Sequence, residues 1–336
     1  MKYTHIFDPN LPAEGGSRNL VFCFDGTWND PSDVHELDSD ITNILKIHRS
    51  AVQDQRQQSF YFQGVGTGGK LDQIVGGATG AGASRIRNQA FVKLVRNYRA
   101  GDRIYVFGFS RGAAIARLFS NLIEKEGIPQ TIEYNEKKNR FKTAGTKHTV
   151  GVRFLGLFDT VASFGLAVNI AGIPFQQINL GKDLAIGPSV EQVVHLVALH
   201  EDRNAFTPTL VEASDRVEEV WFPGVHSDVG GGYSEQGISD NALTFMMARA
   251  EVAGLRFSSE GKADVRPNLT HTIHDRLKED YPLGLSFREV FALEDGKKSI
   301  QKPKIHQSVL DRYKRLGESV PAPLERLAGH YEIVEA

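Results

Sequence analysis

The sequence predicts an α/β fold, a mostly parallel central sheet flanked by helices. Three observations carry that expectation. Short apolar runs alternate with stretches of helical periodicity, the pattern of βα units. One run, residues 150–158, is almost continuously apolar, as a strand buried on both faces must be. The chain has 336 residues, 40% of them hydrophobic, enough to bury the core of one large domain.

The elements follow in order. Residues 20–24 form the first strand and end in the turn Asp25-Gly26-Thr27. Residues 41–47 carry apolar side chains at helical spacing. Residues 59–63 read as a strand, and Gly64-Val65-Gly66-Thr67-Gly68-Gly69 as the loop after it. Residues 84–98 read as a helix with Ile86, Ala90, Leu94 and Tyr98 on one face and Gly101 as its stop. Residues 103–107 are the next strand, and 113–123 the helix leaving it. After strand 150–158 comes 190–199, whose Val190, Val193, Val194 and Val197 repeat at helical spacing. Residues 217–222 are a strong strand, and 243–252 a helix closed by Gly254. Beyond Arg256 the periodicity weakens. With no repeat and no low-complexity linker, residues 1–336 are expected to form one domain with a less regular region at 256–336.

Composition removes several function classes. A net charge of −2 argues against nucleic acid as a partner, since such proteins show a basic excess or stripe. No apolar run approaches the roughly 18 to 20 residues that span a bilayer. The N-terminal residues 1–8 lack the apolar core of a secretory signal, so a cytoplasmic origin is expected; contact-dependent secretion needs no such signal. The single cysteine, Cys23, forms no internal disulfide and lies inside the first strand, where it reads as a buried thiol.

The chemistry concentrates in Gly108-Phe109-Ser110-Arg111-Gly112, a G-x-S-x-G sequence between a β-rich run and an alanine-rich helix. In that context the serine sits on a sharp strand-to-helix turn, the nucleophile elbow of the α/β-hydrolase class. Small residues are needed two positions before and after it, and Gly108 and Gly112 supply them. The helix N-terminus favours developing negative charge. The Arg111 N–H is therefore one expected oxyanion donor, with Gly26 or Thr27 supplying the second.

A serine hydroxyl needs a base to take its proton and an acid to orient that base. His226 lies in Pro223-Gly224-Val225-His226-Ser227-Asp228, after a strand's carboxyl end, where open α/β sheets build their sites. His195 and His200, in and at the end of the expected helix 190–199, are its rivals. Asp159 closes the apolar strand 150–158 and falls between Ser110 and His226, the order of this fold class. Asp228 and Asp25 are the alternative acids.

These segments together resemble the catalytic domain of the type VI secretion lipase effectors and the related family of uncharacterised α/β-hydrolases. The likeness is carried by Phe24-Asp25-Gly26-Thr27-Trp28-Asn29, Gly64-Val65-Gly66-Thr67-Gly68, Gly108-Phe109-Ser110-Arg111-Gly112-Ala113 and Phe158-Asp159-Thr160-Val161-Ala162-Ser163. It continues through Trp221-Phe222-Pro223-Gly224-Val225-His226-Ser227-Asp228-Val229-Gly230-Gly231-Gly232-Tyr233 and, more weakly, to residue 312. The resemblance implies that serine, acid and histidine fall on Ser110, Asp159 and His226. It also implies hydrolysis of phospholipid acyl esters of the phospholipase A type, with no metal or cofactor. A lipid or ester at a membrane surface is then the substrate; an effector would add an immunity protein or a secretion-apparatus partner and delivery into a target cell. Several effectors add a region for membrane docking, and this chain is expected to have almost nothing beyond the catalytic core. An esterase on another lipid or small ester is the nearest alternative, and a non-catalytic or nucleotide-binding module the alternative from another class.

Four features compete for attention. Residues 64–69 fit G-x-G-x-x-G, but no long helix follows to receive a pyrophosphate. The glycine-rich apolar stretch 160–190, with Phe164, Leu166, Ile173 and Phe175, is a candidate lid or acyl pocket, buried connecting structure being its plainer reading. Lys297, Lys298, Lys302 and Lys304 read as a solvated loop before they read as headgroup contacts. His271 and His274 beside Asp275 lack the H-E-x-x-H pattern of a metal site.

Overall fold

A computed structural model of the chain describes residues 2–8, 16–26, 41–64, 80–162, 184–274 and 287–335. Its strands and helices alternate as expected. Strand β1 (Lys2–Ile6) comes first and β2 (Asn19–Phe24) next, followed by helix α1 (Asn43–Ser50), β3 (Gln57–Phe62) and α2 (Gly80–Asn97). Strand β4 (Arg103–Phe109) then turns directly into α3 (Arg111–Glu126). After the hairpin β5 (Ile128–Asn135) and β6 (Arg140–His148) come β7 (Val152–Phe158), β8 (Val193–Ala198) and β9 (Val217–Phe222). A short α4 (His226–Gly230), α5 (Gly237–Val252) and α6 (Ser259–Ala263) follow. The two-residue strands β10 (Leu293–Glu294) and β11 (Lys297–Lys298) pair as a small hairpin. The chain closes with β12 (Lys304–His306), α7 (Gln307–Leu316), α8 (Ala322–Glu325) and β13 (Glu332–Val334).

Eight strands form one sheet in the order β3-β2-β4-β7-β8-β9-β12-β13, and every neighbouring pair is parallel. Such a sheet must be covered on both faces, and the alternation along β2 shows how. Leu20, Phe22 and Phe24 pack with Phe91, Leu94 and Val95 of α2 and Ala116 and Phe119 of α3. Val21 and Cys23 point the other way, towards Ile44 and Ile47 of α1 and Ala242 and Met246 of α5. Each of the valine, leucine, isoleucine, phenylalanine and methionine side chains among them, fully buried, stabilises the fold by about 1.5–3 kcal/mol. A third cluster, built on Trp221, Ile305, Val309 and Leu324, fastens the far edge.

The structure corrects one expectation and adds two features that the sequence did not announce. Residues 190–199 are not a helix: β8 is buried along its whole length between β7 and β9. Its valines are β-branched, and Leu196 and Ala198 are as buried as they are, so no polar face exists for a helix to show solvent. The region beyond Arg256 adds β12 and β13 to the main sheet, in segments too short and too polar to show a period. A separate antiparallel sheet, β1-β5-β6, was not foreseen, because β5 and β6 are largely polar.

Candidate active site

The strand order reverses between β2 and β4, since β3 lies outside β2 while β7 follows on the other side of β4. Ligands of open parallel sheets bind in the crevice at the carboxyl ends beside such a reversal. Three chain segments meet there. β2 leads into Asp25 and Gly26, β4 into Ser110, and β7, the next strand, into Asp159.

Ser110 takes φ 58° and ψ −126°, a conformation that costs a non-glycine residue roughly 1–3 kcal/mol. Its N–H donates to the Phe158 carbonyl (3.0 Å), and its own carbonyl accepts from Ala113 (3.1 Å) and Val161 (3.3 Å). The flanking glycines are steric necessities. A Cβ on Gly108 would lie 2.5 Å from Ala113 Cα, and one on Gly112 would lie 2.3 Å from the Phe24 carbonyl oxygen. Arg111 opens α3, so its N–H belongs to the first turn of that helix.

Asp159 ends the neighbouring strand and is also strained, with φ 40° and no exposure to solvent. Its Oδ1 accepts from the Ala198 N–H (3.0 Å) and from Arg288 Nη1 (2.6 Å). Its Oδ2 is bonded to His226 Nδ1 (2.5 Å) and accepts from Arg288 Nη2 (3.0 Å). Burial alone would raise this carboxyl group, but Arg288 and the His226 imidazole outweigh it and hold it well below the ordinary carboxylate range. An ionised carboxylate only accepts, so Nδ1 of His226 carries the proton.

His226 is the first residue of α4, and its backbone N–H donates to Glu201 Oε2 (3.1 Å). Its ring lies against Phe109, centroids 4.6 Å apart, and meets the edge of Phe206 at 4.8 Å. Phe109 is the neighbour of Ser110, so the packing that fixes the imidazole also ties it to the elbow. Glu201 is held in turn by Arg203 (2.7 and 2.8 Å). Burial would raise its carboxyl group, but Arg203 lowers it further, and the balance is a lowered value.

The rival residues are occupied elsewhere. His195 lies in β8, where Nε2 accepts from the Thr160 N–H (3.1 Å) and Nδ1 meets Glu219 (2.8 Å). His200 Nδ1 accepts from Gly224 and its Nε2 meets Tyr313, and burial pushes the ring down to about 4. Asp228 shapes its loop, accepting from the N–H groups of Val225 and His274 and bonding His274 Nδ1 at 2.7 Å. Asp25 accepts from Thr42 (2.7 Å) and Tyr61 (2.5 Å), which fixes the loop beside the elbow. Gly26, the last described residue of that loop, donates its N–H to Asp25 Oδ1 (2.6 Å). Cys23 is buried, and burial raises its thiol to about 12, far from a nucleophile's range. Thr27, the glycine-rich segment 65–69, Phe164, Leu166, Ile173, Phe175 and Asp275 lie outside the described residues. Among the described residues, no cluster of His, Cys, Asp and Glu is arranged to hold a metal ion.

Arg288 is the site residue that sequence reasoning missed. It stands in Phe287-Arg288-Glu289-Val290, a run without periodicity, 129 positions from the carboxylate that it grips. No local signal marks it.

A family model described as T6SS phospholipase effector Tle1-like, catalytic domain, matches residues 18–144 and 129–249. An uncharacterised protein of Saccharomyces cerevisiae is 29% identical over 242 residues, 59% of this chain and 33% of that protein. The crystal structure of an uncharacterised protein from Pseudomonas aeruginosa aligns with a TM-score of 0.58 at 22% identity, covering 75% of this chain and 49% of that one, and shares the fold. A structure of the Tle1 effector bound to the VgrG spike of the type 6 secretion system aligns with a TM-score of 0.42 at 26% identity, over 66% and 52% of the two chains. The chain thus spans about a third of the yeast relative and about half of each solved structure.

Proposed function

This chain belongs to the family of type VI secretion Tle1-like phospholipase effector catalytic domains, and from that premise we propose that it is a serine esterase acting on phospholipid acyl chains. Ser110 is the nucleophile, His226 the general base and Asp159 the orienting acid, all within a single hydrolase domain. The observation that carries the reading is the 2.5 Å bond between Asp159 and His226 one strand away from the strained Ser110. With Nδ1 engaged by Asp159, Nε2 is the nitrogen that takes the serine proton. The Ser110 oxygen then adds to the ester carbonyl, and the Arg111 N–H at the start of α3 faces the developing oxyanion. The tetrahedral intermediate collapses, the alcohol leaves with the proton from His226, and water activated by the same base releases the fatty acid.

The family points to phospholipid as substrate and to delivery by a type VI apparatus; an immunity protein or a secretion-apparatus partner would follow from the effector reading. Among the described residues, no helix is long and apolar enough to cross a membrane. The test is hydrolysis of a panel of phospholipid vesicles, with products identified by mass spectrometry. Release of free fatty acid and lysophospholipid, abolished in Ser110→Ala, is the expected result. Release of headgroup phosphate instead would overturn the acyl-ester assignment, and hydrolysis of short esters alone would remove the phospholipid from it.

A further inference from the structure

The Asp159 carboxylate is unusual in what surrounds it. Serine-esterase chemistry asks only that the acid receive the histidine Nδ1–H and be held in place. Here both oxygens are also gripped by one buried guanidinium, Nη1 on Oδ1 at 2.6 Å and Nη2 on Oδ2 at 3.0 Å. Arg288 is 7% exposed, and the side chain of Asp159 is not exposed at all. The same Nη1 donates to the Ala198 carbonyl at the end of β8 (2.8 Å), and Nη2 to the Phe206 carbonyl. Phe206 is the ring whose partner is the His226 imidazole. One side chain therefore fixes the acid, the end of the next strand and the aromatic wall of the base.

We propose that Arg288 is a positioning residue of this site, acting on His226 through Asp159 by clamping the carboxylate in its receiving orientation and countering part of its charge. The inference rests on the serine-esterase reading above. Two physical arguments support it. A planar fork matched to a carboxylate leaves it no freedom to rotate, so the oxygen offered to Nδ1 is always Oδ2. The charge argument concerns protons. Asp159 draws a proton onto the imidazole, while a cation held on the far side of the carboxylate weakens that pull. Among the described residues, the charged and titratable groups that act on this pair are Arg288, Glu201 with its partner Arg203, and His195 in β8, while Asp228 lies in the short helix of the histidine itself and bonds His274. Of these only Arg288 bonds the carboxylate with a full charge. Removing it leaves the full carboxylate charge beside the imidazole, which favours the protonated ring.

The test compares Arg288→Met and Arg288→Lys in the full chain, by the rate of fluorophosphonate labelling and by ester turnover from pH 5 to 9, with thermal midpoints recorded alongside. Arg288→Met is expected to lose about 10²-fold in kcat with KM little changed, and its acidic limb of kcat/KM should move up by about one to two pH units. Arg288→Lys keeps the charge but not the fork, so its limb should stay near the wild-type position while part of the rate is lost. The same Met substitution is then made in Asp159→Asn, where an effect passing through the carboxylate must largely vanish. A rate loss of equal size in both backgrounds, or an unmoved limb in Arg288→Met, overturns the inference. If Arg288→Met does not fold, Arg288→Lys decides by its rate: a loss that largely vanishes in Asp159→Asn/Arg288→Lys supports the inference, and a loss of equal size in both backgrounds overturns it. Wild-type chain that is not labelled at all refutes the esterase reading itself, a result distinct from labelled protein that ignores Arg288.

Discussion

Asp159→Asn is the perturbation whose consequences the geometry fixes most fully. Four donors converge on this carboxylate: the Ala198 N–H and Arg288 Nη1 on one oxygen, His226 Nδ1 and Arg288 Nη2 on the other. An asparagine amide has one oxygen and one NH₂ group, so in either orientation its NH₂ confronts two donors. If it faces His226, the imidazole loses its acceptor and is free to adopt the wrong tautomer. That change costs about 10⁴-fold in turnover in a serine protease triad. The substitution also leaves the buried Arg288 guanidinium without its anion. Breaking a buried ion pair from one side costs about 3–5 kcal/mol, and at about 1.4 °C per kcal/mol for a chain of 336 residues the midpoint falls by about 4–7 °C. The assay is turnover and differential scanning calorimetry on the same preparation. A variant with near-wild-type turnover, or one that is inactive at an unchanged Tm, would refute the reasoning.

Three further outcomes are expected. Asp228→Asn disturbs only the histidine loop, because that carboxylate serves Val225 and His274; steady-state kinetics should show less than about a tenfold loss with a stability cost of about 1–3 kcal/mol, and a folded but inactive variant would move the acid to Asp228. Gly112→Ala places a methyl group against the backbone oxygens of Phe24 and Asp25, so urea unfolding should show a loss of about 3 kcal/mol or more, and a neutral result would contradict the packing of the elbow. Burial pushes His200 and His306 down to about 4, so the unfolded chain binds their protons first: stability is complete above about pH 6.5 and falls towards pH 4, by at most about 3 kcal/mol for each ring. His306→Gln should flatten the urea-midpoint profile between pH 6.5 and 4.5, and an unchanged slope would show that this ring is not buried neutral.

The parts of this site visible in the sequence are those written in one local segment. β2, β4 and β7 are buried on both faces and β9 is buried over its second half, so their apolar runs announce them, and the polar residues past their ends stand out as Asp25, Ser110, Asp159 and His226. The glycines at 108 and 112 were legible because their reason is steric and short in range. β8 misled because four valines fall at helical spacing by coincidence, and only the neighbouring strands show that all faces are buried. The engagement of the Gly26 N–H by its own neighbour's carboxylate is a rotamer choice that a sequence does not display. Arg288 was invisible for a different reason, since a single arginine acquires its role only when the chain folds it onto a strand end far away in sequence.

The most direct test of the whole account is the site of covalent modification by a fluorophosphonate. Only a serine activated by a neighbouring base reacts readily with such a probe. The labelled protein is digested and the adduct located by tandem mass spectrometry at pH 7.5, in wild type and in His226→Ala. The account predicts one adduct, on Ser110 in the peptide carrying Gly108 to Gly112, and its loss in His226→Ala with the chain still folded. An adduct on any other residue, or undiminished labelling of Ser110 without His226, would contradict it.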